Sequence, residues 1–143
     1  MKKMILVAAL LLRAAAVHAA GGLPEDEKVV ATYYREYNAD RFDKVVALYS
    51  KEFLKETPPD KALARLKEIK ARLGREKSHR LASSEAIDIR QKKVYGTNVT
   101  LQYKAEYEKG RVIETFNVFR PSKGREYRIL GHDVEFDPAA KGR

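Results

Sequence analysis

Glu114 is the residue whose type and place most invite chemistry, because Val112, Glu114, Phe116 and Val118 alternate along one strand face whose other members are apolar. A carboxylate there is costly unless it is paired. Arg80, at the entry to the first strand, is the cation expected to meet Glu114 in a structural ion pair; without it, Glu114 becomes a ligand contact. His132 is followed by Asp133, but neighbours on a strand face opposite sides, so the two do not converge on one ion. Neither His132 nor His79 has the Cys, His, Asp or Glu spacing of a metal site. Tyr33, Tyr37, Tyr103 and Tyr107 carry rings with polar tips, which suit a pocket wall as well as a core. With Glu114 and His132 they form the candidate pocket.

The remaining chemistry is thin. The chain has no cysteine, which removes thiolate zinc sites, cysteine catalysis and a lipid-modified anchor together. Gly21-Gly22, Gly110 and Gly124 form no phosphate-cradling loop, and Ser78, Ser83 and Ser84 lack the context of a nucleophile. No motif calls for a cofactor or a metal.

These residues sit on elements that the hydrophobic period defines. A first helix opens after Leu23-Pro24 with Glu25, Asp26 and Glu27 at its positive end, and Val30, Tyr33, Tyr34 and Tyr37 form its buried stripe while Lys28, Arg35 and Glu36 stay wet. Asn38-Ala39-Asp40 breaks it, and Asp40 caps a second helix carrying Phe42, Val45, Val46 and Tyr49 inward. Thr57-Pro58-Pro59-Asp60 starts a third helix, with Ala62, Leu66, Ile69 and Leu73 on one stripe and a stop at Gly74. The period then changes to two. Strands are expected over 81–89, 99–107, 112–120 and 127–136, with turns at Glu108-Lys109-Gly110 and Pro121-Ser122-Lys123-Gly124. The fold class is α+β: three N-terminal helices packed on a curved four-stranded antiparallel sheet, a cone.

At the front, Met1-Lys2-Lys3, the apolar run 4–12 and Val17-His18-Ala19 have the form of a cleaved export signal, so the chain is expected to be periplasmic or secreted. The apolar run is too short to span a bilayer, which takes roughly 20 residues. The expected layout is a signal peptide over 1–19, a linker over 20–25, one domain over 26–136 and a polar tail over 137–143. Losing Lys2, Lys3 and Arg13 with the signal takes the formal net charge from +9 to +6. That excess concentrates on the third helix, at Lys61, Arg65, Lys67, Lys70 and Arg72, and suits contact with an anionic surface. Nucleic acid does not fit an exported chain of modest charge.

Tyr33-Tyr34-Arg35-Glu36-Tyr37-Asn38-Ala39-Asp40-Arg41-Phe42, followed by Val46-Ala47-Leu48-Tyr49, resembles the opening of the nuclear transport factor 2-like (cystatin-like) superfamily. Arg72-Leu73-Gly74, Ser78-His79-Arg80-Leu81, Val99-x-Leu101-Gln102-Tyr103, Glu114-Thr115 and Tyr127-Arg128-Ile129-x-Gly131 resemble a group of small exported bacterial proteins whose domain has no assigned function. That group usually has Trp at the place of Tyr127 and an aromatic at the place of His132. The resemblance implies the cone over about 26–136. Carried over from the superfamily's ketosteroid isomerase branch, it places Tyr33 at the oxyanion-stabilising tyrosine, Thr57 at the general-base aspartate and Asn117 at the second donor. Thr57 cannot abstract a proton at neutral pH, Glu56 beside it points the other way along an extended segment, and strand parity turns Asn117 outward.

The expected function is therefore an exported, non-enzymatic binding or accessory domain for a small ligand or an envelope protein. The alternatives are a small enzyme of isomerase or hydrolase type in the cone pocket, and an inhibitor or envelope interaction factor. An enclosed polar-rimmed cavity favours the binding domain or the enzyme; a filled cone with an exposed apolar sheet face favours the inhibitor or interaction factor.

Overall fold

A computed structural model describes residues 22–91, 94–124 and 126–137. The expected signal peptide and all but one residue of the expected tail lie outside the described residues. The order is α1 (Glu25–Asn38), α2 (Phe42–Val46), α3 (Lys51–Glu56), α4 (Pro59–Leu73), β1 (Glu76–Gln91), β2 (Val94–Tyr107), β3 (Gly110–Pro121) and β4 (Arg128–Phe136). The strands form one antiparallel sheet in the order β1-β2-β3-β4, the order expected of sequential strands a few residues apart.

Alternation fixes which face is covered. Val99, Leu101, Tyr103, Ala105 and Tyr107 of β2, with Val112, Glu114, Phe116 and Val118 of β3, are all buried. Against that face lie Val30, Tyr33, Tyr34 and Tyr37 of α1 and Ala62, Leu66 and Leu73 of α4, in one apolar cluster. The α1 and α4 stripes are those the sequence predicts. Glu36 departs from expectation. It is buried rather than wet, beneath Arg35 at 3.3 Å and Arg41 at 2.5 Å, and the Arg41 hydrogen bond holds its carboxyl below the usual carboxylate range.

Asp40 caps no helix. It adopts a φ of 58°, in the left-handed region that Asp tolerates better than most residues, so that its amide and that of Arg41 satisfy the Tyr37 and Glu36 carbonyls at the end of α1. The expected second helix ends at Val46, short of Tyr49, and a further short helix, α3, follows it. The Ile129 amide donates to the Leu48 carbonyl and the Ser50 amide to the Ile129 carbonyl, each at 2.8 Å, drawing Tyr49 into a parallel bridge with Ile129. Long-range pairing overrides the helical period there. Ser50 then restarts the helix, its hydroxyl accepting from the Phe53 amide at 3.0 Å.

Gly74 ends α4 as expected, with a φ of 77° that disfavours a side chain. Its carbonyl accepts from the Tyr37 hydroxyl at 2.8 Å, and the two-residue Glu108-Lys109 turn docks beside it through the Arg75 and Leu73 carbonyls. One glycine thus joins α1, α4 and the β2–β3 hairpin. Its neighbour Lys70 is not simply a surface charge: its ammonium donates to the Tyr37 carbonyl at 3.0 Å and lies 3.2 Å from Asp40.

Candidate functional site

Alternation along β3 turns Glu114 inward, and β4 sets His132 beside it. The register pairs Phe116 with His132 and Glu114 with Val134, so His132 is one step along the inner face of the neighbouring strand. The two side chains are 0% and 1% exposed, with His132 Nε2 2.7 Å from Glu114 Oε2. The other carboxylate oxygen, Oε1, accepts from the Tyr34 hydroxyl at 3.1 Å and from the Tyr107 hydroxyl. Burial, and after it the Glu114 charge, pushes both hydroxyls well above the ordinary tyrosine value, which keeps them protonated donors. Two hydroxyl donors and His132 Nε2, which donates in the tautomer that faces an ionised carboxylate, therefore meet Glu114 in a dry interior. Hydrogen bonds to a charged group contribute about 1.5–3 kcal/mol each, enough to offset its desolvation when all are made.

Aromatic packing fixes this arrangement. The His132 ring stacks on Phe116 at 4.4 Å and meets Tyr33 edge-on at 5.0 Å. Tyr34, which donates to Glu114, stacks its ring on His79 at 4.2 Å. His79 Nδ1 in turn lies 2.9 Å from Glu76 Oε1. Residues three apart on a regular strand face opposite sides; the bulge between Glu76 and Ser78 brings both to the inner face.

All six expected pocket residues are buried, and the structure brings four of them together. Tyr107 and His132 meet the Glu114 carboxylate and Tyr33 packs edge-on against the His132 ring, while Tyr37 spends its hydroxyl on Gly74 and Tyr103 packs against Phe116. The expected Arg80–Glu114 ion pair is not formed. Arg80 pairs in register with Lys104, and Lys104 with Ile113, so it belongs to the outer row, whereas Glu114 belongs to the row of Leu81 and Tyr103. One residue of register separates them, and Arg80 is exposed. The site residue that sequence reading left out of the pocket is Tyr34. Tyr34 lies on the predicted α1 stripe, which is the signal that could have found it.

The isomerase-type positions do not assemble a proton-transfer site. Thr57 closes α3 with its amide on the Phe53 carbonyl, and Asn117 is on the outer side, accepting from the Thr100 hydroxyl at 2.8 Å. The Tyr33 hydroxyl is buried without a hydrogen-bond partner among the described residues, and burial raises its pKa well above the ordinary value. Among the described residues no three His, Cys, Asp or Glu side chains gather as metal ligands would. Nor is any described helix long and apolar enough to cross a membrane.

Space accessible from outside lies elsewhere. A groove of about 200 Å³ runs between α4 and β4, with Ile69, Leu73, Val134 and Phe136 as its apolar wall and Arg65, Glu68 and Arg72 on its rim. The Arg65 guanidinium donates to the His132 carbonyl at 2.9 Å, and that of Arg72 lies over the Phe136 ring at 5.6 Å.

No family model and no curated protein matches this sequence. Among solved structures, that of Bd1075 from Bdellovibrio bacteriovorus is similar, with a TM-score of 0.52 over 78% of this chain at 12% identity. The likeness is one of fold. The chain spans 39% of the length of that structure. The α+β architecture of helices with an open antiparallel four-stranded sheet is what the two share.

Proposed function

We propose that this chain is an exported, non-enzymatic binding or accessory domain, a cone of the nuclear transport factor 2-like kind that acts through its surface. One observation carries the reading: Glu114, the reactive group of the interior, is 0% exposed with both oxygens engaged. A general base must reach the proton it removes, and this carboxylate is sealed behind Tyr34, Tyr107 and His132. The aromatic side chains that would line a cone pocket pack on one another, with Tyr33, Tyr37 and Phe116 fully buried.

Native mass spectrometry of the protein taken from the envelope of the cell that makes it tests this reading. The expected species begins near Ala20 and carries a non-covalent macromolecular partner. Soluble cytoplasmic material with Met1 intact overturns the exported role, and a small molecule retained in the interior overturns the surface role.

One observation favours a second reading, a small enzyme in the cone. The Tyr33 hydroxyl, without a partner among the described residues, is a donor of the kind that stabilises an oxyanion. Turnover of a Δ5-ketosteroid by the unmodified protein, lost in Tyr33→Phe, establishes that reading and removes the first.

A further inference from the structure

We propose that the groove between α4 and β4 takes an extended acidic segment of a partner protein, which adds to the β4 edge as a fifth strand; the inference rests on the surface-binding role above. The backbone defines the edge. Asp137 donates to the Arg111 carbonyl at 3.1 Å, so Asp133 and Glu135, at the same parity, face β3, while His132, Val134 and Phe136 aim their backbone groups away from it. The start of this edge is covered, because Ile129 exchanges hydrogen bonds with Leu48 and Ser50. From His132 to Phe136, among the described residues, the hydrogen bond shown on the outward backbone is the one from the Arg65 side chain to the His132 carbonyl. An uncovered edge is a template for another strand.

The groove specifies that strand. Its volume, about 200 Å³, is below the range of roughly 300–1,000 Å³ typical of small-molecule pockets, and its walls are apolar, so it suits one anchoring side chain rather than a whole ligand. Arg65 and Arg72 flank it, seven residues or about 10.5 Å apart along the helix. Glu68 lies between them, leaving the rim with a net positive charge. On an extended peptide, residues facing the groove recur every second position, and positions i and i+4 are about 13 Å apart, within reach of two flexible arginines. The matching pattern is acidic-x-apolar-x-acidic. On binding, a peptide amide takes the His132 carbonyl from Arg65, which frees that guanidinium for the peptide carboxylate. Arg65 holds the edge until the strand arrives.

The probe is the synthetic peptide acetyl-Thr-Glu-Thr-Leu-Thr-Glu-Thr-amide, titrated into the isotope-labelled full chain and followed by amide chemical shifts, with a Lys-for-Glu peptide as control. Saturable shifts over residues 132–136 and along α4, slower exchange of the Val134 and Phe136 amides, and binding at least ten-fold weaker for the control peptide are expected. Arg72→Glu should weaken the acidic peptide ten-fold or more; its contact is with an exposed ring, so it keeps the test usable if Arg65→Ala disturbs folding. Equal binding of both peptides, shifts confined to β1, or no binding at millimolar peptide overturns the groove assignment, as does self-association of the chain that occupies the same edge and excludes the peptide. If native mass spectrometry shows a partner whose binding ignores Arg72→Glu, the groove assignment fails while the surface role stands; if it shows none and the peptide still binds, the surface role lacks its partner while the groove assignment stands.

Discussion

The Glu114 carboxylate and the His132 imidazole lie 2.7 Å apart in a space that exposes 0% and 1% of their side chains. A pair so buried makes little net contribution relative to a well-packed apolar replacement, but breaking it strands the survivor. Glu114→Leu alone leaves His132 and the Tyr34 and Tyr107 hydroxyls without their acceptor, and His132→Phe alone removes one of three donors from a buried carboxylate. Each single change should cost on the order of 3–5 kcal/mol in urea unfolding, and the double change much less than the sum. Additive small effects would show that the two residues do not depend on each other.

Tyr107 and Tyr33 have hydroxyls in one core with opposite circumstances. Tyr107→Phe removes a donor from Glu114 and should cost about 1.5–3 kcal/mol, the range for hydrogen bonds to a charged group. Tyr33→Phe removes a buried hydroxyl without a partner among the described residues and should leave stability unchanged or raise it by up to about 1 kcal/mol. Urea midpoints of the two variants at matched slope separate the cases, and a large loss in Tyr33→Phe would mean that its hydroxyl has a partner in solution.

Much of this core was legible in sequence, for a physical reason. The α1 and α4 stripes and the alternation of β2 and β3 are local periods, each determined by burial of one face, and they place Tyr33, Tyr37, Tyr103, Tyr107 and Glu114 inside. What was not legible is register. Arg80 is one residue from the row of Glu114, and one residue reverses a strand's face. The bulge that turns Glu76 toward His79, and the Tyr49–Ile129 bridge that ends the second predicted helix early, likewise arise from pairing between distant segments. Local propensity carries no record of such pairing.

Alkaline stability follows from the same tyrosines. Burial raises the pKa of Tyr33, Tyr34, Tyr37, Tyr49, Tyr103 and Tyr107 above the unfolded value, about 10. The native state therefore holds protons that the unfolded chain releases. Stability is fully present below about pH 10 and falls as pH rises beyond it, since its slope with pH follows the protons bound by the unfolded state minus those bound by the native one. Phenolate absorbance from these six residues should appear together with loss of circular dichroism. Titration of most of them in a still-folded protein would contradict their burial.

Gly96 tests the outer face; it lies in β2, between the expected strands 81–89 and 99–107. A side chain there would meet the Phe119 ring at 2.6 Å and the Arg120 backbone carbonyl, so the ring lies directly on the β2 backbone. The ring can swing away, but the carbonyl belongs to the paired strand β3 and cannot yield without disturbing the Gly96–Pro121 register. Gly96→Ala should therefore cost about 1–3 kcal/mol, as overpacking does, despite the better strand propensity of alanine. Gly96→Ala combined with Phe119→Ala separates the two obstacles. If the ring alone is responsible, the second change restores the cost of Phe119→Ala by itself; if the carbonyl dominates, the penalty of the Cβ persists, and amide exchange accelerates across Thr97–Val99 and Val118–Arg120. A neutral Gly96→Ala with unchanged exchange would show that β2 and β3 do not approach so closely at this end of the sheet.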